Sequence, residues 1–140
     1  MVSLPPSGVR TLADVRRVLI VDDALDSAEL LALVLQAAGC DTRIAHDGPS
    51  ALLLSLDFLP DFAFLDIGLP GMDGFELARA LRRVPQLAAC RLFALTGYGP
   101  HDVADSSIFD LFLTKPVDPT VLIRLVARPP RDADESAASG

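Results

Sequence analysis

Lysine is almost missing from this chain of 140 residues: Lys115 stands alone among twelve basic residues, and the other eleven are arginine. Glutamate is scarce too, with three Glu beside sixteen Asp, and the formal net charge is −7. A surface that neutralises many phosphates of duplex nucleic acid needs the opposite balance, so no nucleic-acid partner is expected. Long apolar runs are also absent. The longest are Leu30 to Leu35 and Val18 to Val21, far short of the roughly eighteen residues that would suggest a span, so no membrane insertion is expected. The first ten residues contain Pro5, Pro6 and Gly8 and no apolar stretch behind a basic start, which argues against a secretory signal and for a cytoplasmic location. The only two cysteines, Cys40 and Cys90, lie far apart beside apolar segments. With no CxxC or Cys/His cluster to hold zinc, they read as buried reduced thiols.

A 51% share of hydrophobic residues supplies a core for one domain. Residues 1–15 are rich in Pro, Gly, Ser and Arg and read as a flexible leader or linker. Residues 129–140 follow a Pro-Pro pair with no apolar anchor and read as a disordered tail. The folded unit is then 16–128. Within it, Val18 to Val21, Phe62 to Leu65, Leu92 to Leu95 and Leu111 to Leu113 have the short continuous apolar character of strands buried on both faces, and Thr42 to Ala45 is a weaker strand. Helical periods cover Asp26 to Ala38, with Leu30, Leu33, Val34 and Ala37 predicted on the buried face and Gly39 as the stop. Further helices are predicted at Pro49 to Leu56, Gly74 to Val84 and Pro119 to Ala127. Arg79, Arg82 and Arg83 are expected on the wet face of the third. Between the fourth and fifth strands, Pro100, Asp102, Asp105, Ser106 and Ser107 leave only a short or irregular fourth helix. Strands alternating with helices predict an α/β fold, a doubly wound five-stranded parallel sheet with helices on both faces.

Ligands of such sheets bind beyond the carboxyl ends of the strands. Strand one ends in Asp22 and Asp23, strand three in Asp66, strand four in Thr96 and strand five in Lys115. Each alone has a structural explanation, because polar residues often end strands and Asp often caps the next helix. Together they place three carboxylates, a hydroxyl and the single lysine on one edge. Crowded carboxylates repel unless a cation balances them. The all-oxygen set favours Mg²⁺, which keeps positions for water and phosphate oxygens; no EF-hand loop supports Ca²⁺, and no His or Cys supports a transition metal. The compact ammonium of Lys115 can meet one phosphate oxygen and the Thr96 hydroxyl another, a role that a planar guanidinium would not fill. No GxxxxGK[ST] or GxGxxG loop implies a nucleotide. The pattern suits a carboxylate that accepts a phosphoryl group.

The segments VLIVDD (Val18 to Asp23), LDIGLPGMDG (Leu65 to Gly74), ALTGYG (Ala94 to Gly99) and LTKPVDP (Leu113 to Pro119) resemble, in order and spacing, the receiver domain of two-component response regulators. Their wording is most similar to receivers attached to hybrid sensor histidine kinases. The resemblance implies a flavodoxin-like strand order 2-1-3-4-5 and a phosphoprotein that takes a phosphoryl group on Asp66 from a histidine of a sensor kinase or phosphotransfer protein. It implies Mg²⁺ held by Asp22, Asp23, Asp66 and the Gly68 carbonyl, and a phosphoryl group bound by Lys115 beside a cis bond to Pro116. It further implies a switch in which Thr96 moves toward the phosphoryl group and Phe112 turns inward behind it. Gly68 and Tyr98 occupy positions that tune hydrolysis, and here they imply slow self-dephosphorylation.

Pro70 and Gly71 suit a tight turn, Asp73 a helix cap, and Gly74 a helix start. His46 and His101 lack a helical phosphodonor context and read as solvated. The Thr96 to Lys115 interval is shorter than the family usually has, and Ile108 replaces a glycine before the Phe-Asp pair. A monomer is therefore favoured over dimerisation through that face, in a stand-alone or excised receiver without an attached DNA-binding domain. Two rival readings remain: a receiver-like scaffold that works without phosphorylation, and a carboxylate-nucleophile phosphatase of the haloacid dehalogenase type. The latter expects a DxDx[TV] motif, whereas Asp22 and Asp23 are adjacent.

Overall fold

A computed structural model of the chain describes residues 15–97 and 106–127. The expected leader, apart from Val15, and the expected tail lie outside the described residues, as do Tyr98 and His101. Five strands, β1 (Arg17–Val21), β2 (Asp41–Ala45), β3 (Phe62–Asp66), β4 (Arg91–Thr96) and β5 (Leu111–Thr114), pair in parallel in the order β2-β1-β3-β4-β5. Four helices connect or follow them: α1 (Leu25–Ala37), α2 (Gly48–Phe58), α3 (Gly74–Arg82) and α4 (Pro119–Val126).

Alternation along the strands divides the core in two. In β1, Val18 and Ile20 pack with Leu31 and Leu35 of α1 and Leu122 and Val126 of α4. Leu19 and Val21 point the other way, to Ala51 of α2 and Leu77, Ala78 and Leu81 of α3. Successive side chains of a strand face opposite sides, so the unbroken apolar run Val18 to Val21 needs a helical layer on each. Within the first layer Phe93 stacks on Phe62 and meets Phe64 at a tilt, with centroids 6.1 and 5.0 Å apart.

Asp residues start three of the helices at the carboxyl edge of the sheet. Asp47 accepts a hydrogen bond from the Ser50 amide, Asp73 forms a capping box with Glu76, and Asp118 accepts from the Thr120 amide. Gly71, at φ +80°, turns the chain between β3 and α3, a conformation suited to glycine.

Several expectations need correction. The buried face of α1 is Ala28, Leu31, Ala32 and Leu35, whereas Leu30 and Leu33 are 62% and 63% exposed and Ala37 is exposed. The helix is apolar around most of its circumference, so its period allows more than one stripe. The stripe seated on the sheet contains two alanines, which permit close approach. Arg82 is not solvated either: its guanidinium donates to the Cys90 carbonyl at 2.6 Å and pairs with Asp110 at 3.2 Å. Asp110 also accepts from the Leu92 amide, so the end of α3 is tied to the entry of β4 and β5. The chain leaves α3 two residues earlier than predicted and makes a 3₁₀ turn at Pro85–Leu87. Before β5, the described residues hold only a 3₁₀ turn at Ser106–Ile108; most of the expected irregular helix lies outside them. Cys40 and Cys90 are buried and form no disulfide.

Arg82 and exposed Arg83 therefore give a paired test. Arg82→Ala is expected to lower the free energy of unfolding by about 1–2 kcal/mol, and Arg83→Ala to change it by less than about 0.5 kcal/mol. Equal small effects in urea denaturation would show that the Arg82 contacts add no stability.

Candidate functional site

Strand register brings the acidic residues level. Val21 pairs with Leu65, so Asp22 and Asp66 follow at the same height on adjacent strands. The backbone around them is bonded across the sheet: Asp22 N donates to Ala45 O, Ile67 N to Leu95 O, and Lys115 N to Thr96 O at 2.7 Å. Parallel strands thus gather residues separated by up to 93 positions in the chain.

The side chains complete the arrangement. Lys115 Nζ lies 2.8 Å from Asp22 Oδ2 and 3.3 Å from Asp66 Oδ2. The other oxygen of Asp22 accepts from the Ala24 amide at 3.0 Å, and that of Asp66 accepts from the Gly68 amide at 2.9 Å. Asp22 is fully buried, while the side chains of Asp66 and Lys115 are 14% and 25% exposed. Asp23 is exposed, and one carboxylate oxygen each from Asp22, Asp23 and Asp66 lie within 4.8 Å of one another. Three carboxylates against one ammonium leave an excess of two formal negative charges in an all-oxygen donor set. Such a group could hold a metal ion, and its chemistry fits a hard divalent cation.

Burial alone would push the Asp22 carboxyl upward. Hydrogen bonds from Lys115, the Ala24 amide and Ser27, with the Lys115 charge, outweigh it and hold the carboxyl below its ordinary 3.8. Burial likewise works against the charged form of Lys115, but bonding and charge from Asp22 and then Asp66 raise it above 10.5.

The remaining predicted residues occupy the same edge or its flank. Thr96 is buried at the end of β4. Phe112 is half-buried in an aromatic cluster with Phe109 and Phe75, at centroid distances of 5.3 and 6.2 Å. The Lys115–Pro116 peptide is cis. Tyr98 lies outside the described residues, so its expected place beside the site has no structural counterpart here.

Three neighbours escaped sequence reasoning. Ser27, in the first turn of α1, is among the groups that lower the Asp22 carboxyl. His46 is exposed, as expected, but its Nδ1 also lies 3.1 Å from the Asp22 carbonyl oxygen. Gly74 does more than start a helix: a Cβ there would meet Ile67 Cα at 2.7 Å and Asp66 O at 2.8 Å, so α3 seats directly on the strand end that carries Asp66. The Asp-Gly pair before the helix was the available signal for Gly74; no sequence pattern marks the other two contacts.

Fold and pocket together define a doubly wound α/β domain with an acidic, lysine-bridged site at its carboxyl edge. Residues 18–127 match the family model of the response regulator receiver domain, and the chain belongs to that family. It is 37% identical over 121 residues to the uncharacterised 14.6 kDa protein of the sodA1 3′ region of Leptolyngbya boryana, covering 84% of this chain and 92% of that one. It is also 37% identical over 123 residues to the DNA-binding response regulator MtrA of Mycobacterium tuberculosis H37Rv, covering 87% of this chain and 54% of MtrA. The chain thus spans about half the length of the MtrA proteins. Among solved structures, the chemotaxis response regulator CheY4 of Vibrio cholerae superposes with a TM-score of 0.74 at 27% identity, covering 81% of this chain and 98% of CheY4. NtrX of Brucella abortus gives a TM-score of 0.76 at 30% identity, over 89% of this chain and 29% of NtrX. The chain is accordingly a receiver domain of two-component signalling.

The pH dependence of the metal-free protein follows from the two shifted groups. A lowered Asp22 contributes stability above 3.8 that is lost as pH falls through its folded value. A raised Lys115 contributes stability below 10.5 that is lost as pH rises through its folded value. In chelator, Lys115→Met is expected to remove the alkaline loss and to raise the Asp22 carboxyl above its wild-type position in an NMR titration. An Asp22 titration unchanged by Lys115→Met would refute this coupling.

Proposed function

We propose that this domain is a phosphoacceptor: a phosphoryl group passes, in a Mg²⁺-dependent reaction, from a histidine of a sensor kinase or phosphotransfer protein to Asp66, and its arrival switches a protein-interaction surface. The observation that carries this reading is Asp66 itself, an accessible carboxylate oriented by the Gly68 amide and Lys115 beside two further carboxylates. Asp22, Asp23, Asp66 and the Gly68 carbonyl are the proposed holders of Mg²⁺, which when bound supplies positive charge beside the phosphoryl oxygens. An Asp66 carboxylate oxygen forms the new bond to phosphorus as the phosphorus–nitrogen bond of phosphohistidine breaks, and the bonding pair leaves with the imidazole nitrogen. Lys115 balances charge on the phosphoryl oxygens. Thr96 then bonds one of them through its hydroxyl, and Phe112 follows in the space behind Thr96.

The partner class is a histidine kinase or histidine phosphotransfer protein, and a cytoplasmic location accords with it. Among the described residues no helix is long and apolar enough to cross a membrane. The charge of −7 supports a receiver that does not itself contact nucleic acid. DNA binding is part of the name of the full-length MtrA relatives and is a statement about those proteins.

Incubation with acetyl phosphate and Mg²⁺, followed by intact mass, tests the reading. One added phosphoryl group is expected on the wild type and none on Asp66→Asn, and the adduct is expected to decay slowly in Mg²⁺. No adduct from acetyl phosphate or from a phosphorylated histidine donor would favour the phosphorylation-independent scaffold. Steady phosphate release from varied esters would favour the hydrolase.

A further inference from the structure

The turn from β2 into α2 touches both arms of the acidic pocket. His46 meets the Asp22 carbonyl at one side. Two residues on, Gly48 opens α2, and a Cβ built there would meet Met72 Sδ at 2.6 Å, Met72 Cβ at 2.8 Å and Met72 Cγ at 2.9 Å. Met72 belongs to the loop between β3 and α3, which follows Asp66 directly and includes Gly68, and its side chain packs on the core cluster that contains Leu65, Leu69 and Leu77.

The backbone of Gly48 is outside the left-handed region, so its conformation does not demand glycine. Space does. A thioether sulfur alone could swing aside, but Met72 Cβ is bonded to the main chain, so a methyl at position 48 must shift the loop relative to the start of α2. An alanine in a helix otherwise favours folding over glycine, which separates the notch from any general preference of α2.

We propose that Gly48 is a positioning residue: its bare Cα forms the notch that seats Met72, and the seated Met72 fixes the loop that follows Asp66 and carries Gly68, whose amide orients the Asp66 carboxylate. The proposal rests on Asp66 as phosphoacceptor only for its kinetic readout. Its geometric readout is independent, because the Gly68 amide bonds to Asp66 Oδ1 and reports where the loop lies.

Gly48→Ala, Met72→Gly and the double variant of the full chain decide the matter. The probe is acetyl phosphate with Mg²⁺, the initial rate of adduct formation is read by mass, and the Gly68 amide resonance is read by NMR. Gly48→Ala is expected to slow phosphorylation by about fivefold or more and to shift the Gly68 resonance. In the double variant both values are expected to return to those of Met72→Gly, because only glycine removes the Cβ that the new methyl meets. A wild-type rate or an unmoved resonance in Gly48→Ala overturns the proposal, as does a double variant that keeps the Gly48→Ala defects. Should the wild type itself take no phosphoryl group, the phosphoacceptor reading fails and the Gly68 resonance alone decides. Should Gly48→Ala not fold, recovery of folding in the double variant supports the notch and an unfolded double variant overturns it.

Discussion

The bridge from Lys115 to Asp22 and Asp66 is the interaction on which the rest of the arrangement depends. Asp22 is wholly buried, and a buried carboxylate without a cation is strongly disfavoured. The ammonium resolves that cost and at the same time draws Asp66 into reach of Asp22 and Asp23. Removing either partner would leave a charge without compensation. Stability of the edge and the proposed capacity for phosphoryl chemistry are therefore two consequences of one placement.

That placement depends in turn on the parallel sheet. A charged residue ends β3 and directly follows β1 and β5, and their order in space puts β1 beside β3 with β4 between β3 and β5. Lys115 must therefore reach across β4 to the acids, and its amide is anchored on Thr96 before the side chain extends. The two-faced core holds the strands in this register: each layer packs its own alternate set of side chains, so a slip of one residue would exchange the sets. On the outer flank, Arg82 and Asp110 tie α3 to the entries of β4 and β5, close to the aromatic cluster that contains Phe112.

The parts of this account legible in the sequence were those written as local pattern. VLIVDD, FAFLD and LFLTK are short apolar runs that stop abruptly at charge, and such stops mark both a strand end and a candidate site residue. Those stops give the site composition, and the resemblance of the motifs to the family gives the strand order. The buried face of α1 was not legible, because Leu30, Leu31, Leu33, Val34 and Leu35 surround the helix and only the sheet decides which of them are covered. Arg82 was misread for a related reason: its partners, the Cys90 carbonyl and Asp110, come from other elements and leave no periodic trace. The close approach of Gly74 to Asp66 and the fit of Met72 against Gly48 are likewise facts of packing, invisible until the strand ends and helix starts share one edge.

The central claim is that a compact ammonium at position 115 joins the acidic pair and passes the arrival of a phosphoryl group on to Thr96 and Phe112. It is tested most directly by treating the wild type and Lys115→Arg with acetyl phosphate and Mg²⁺ while following the Thr96 and Phe112 resonances by NMR. The wild type is predicted to shift at both positions, and Lys115→Arg to stay folded with both resonances unmoved. Wild-type shifts in Lys115→Arg would contradict the account, since the forked guanidinium would then serve as well as the single lysine of the chain.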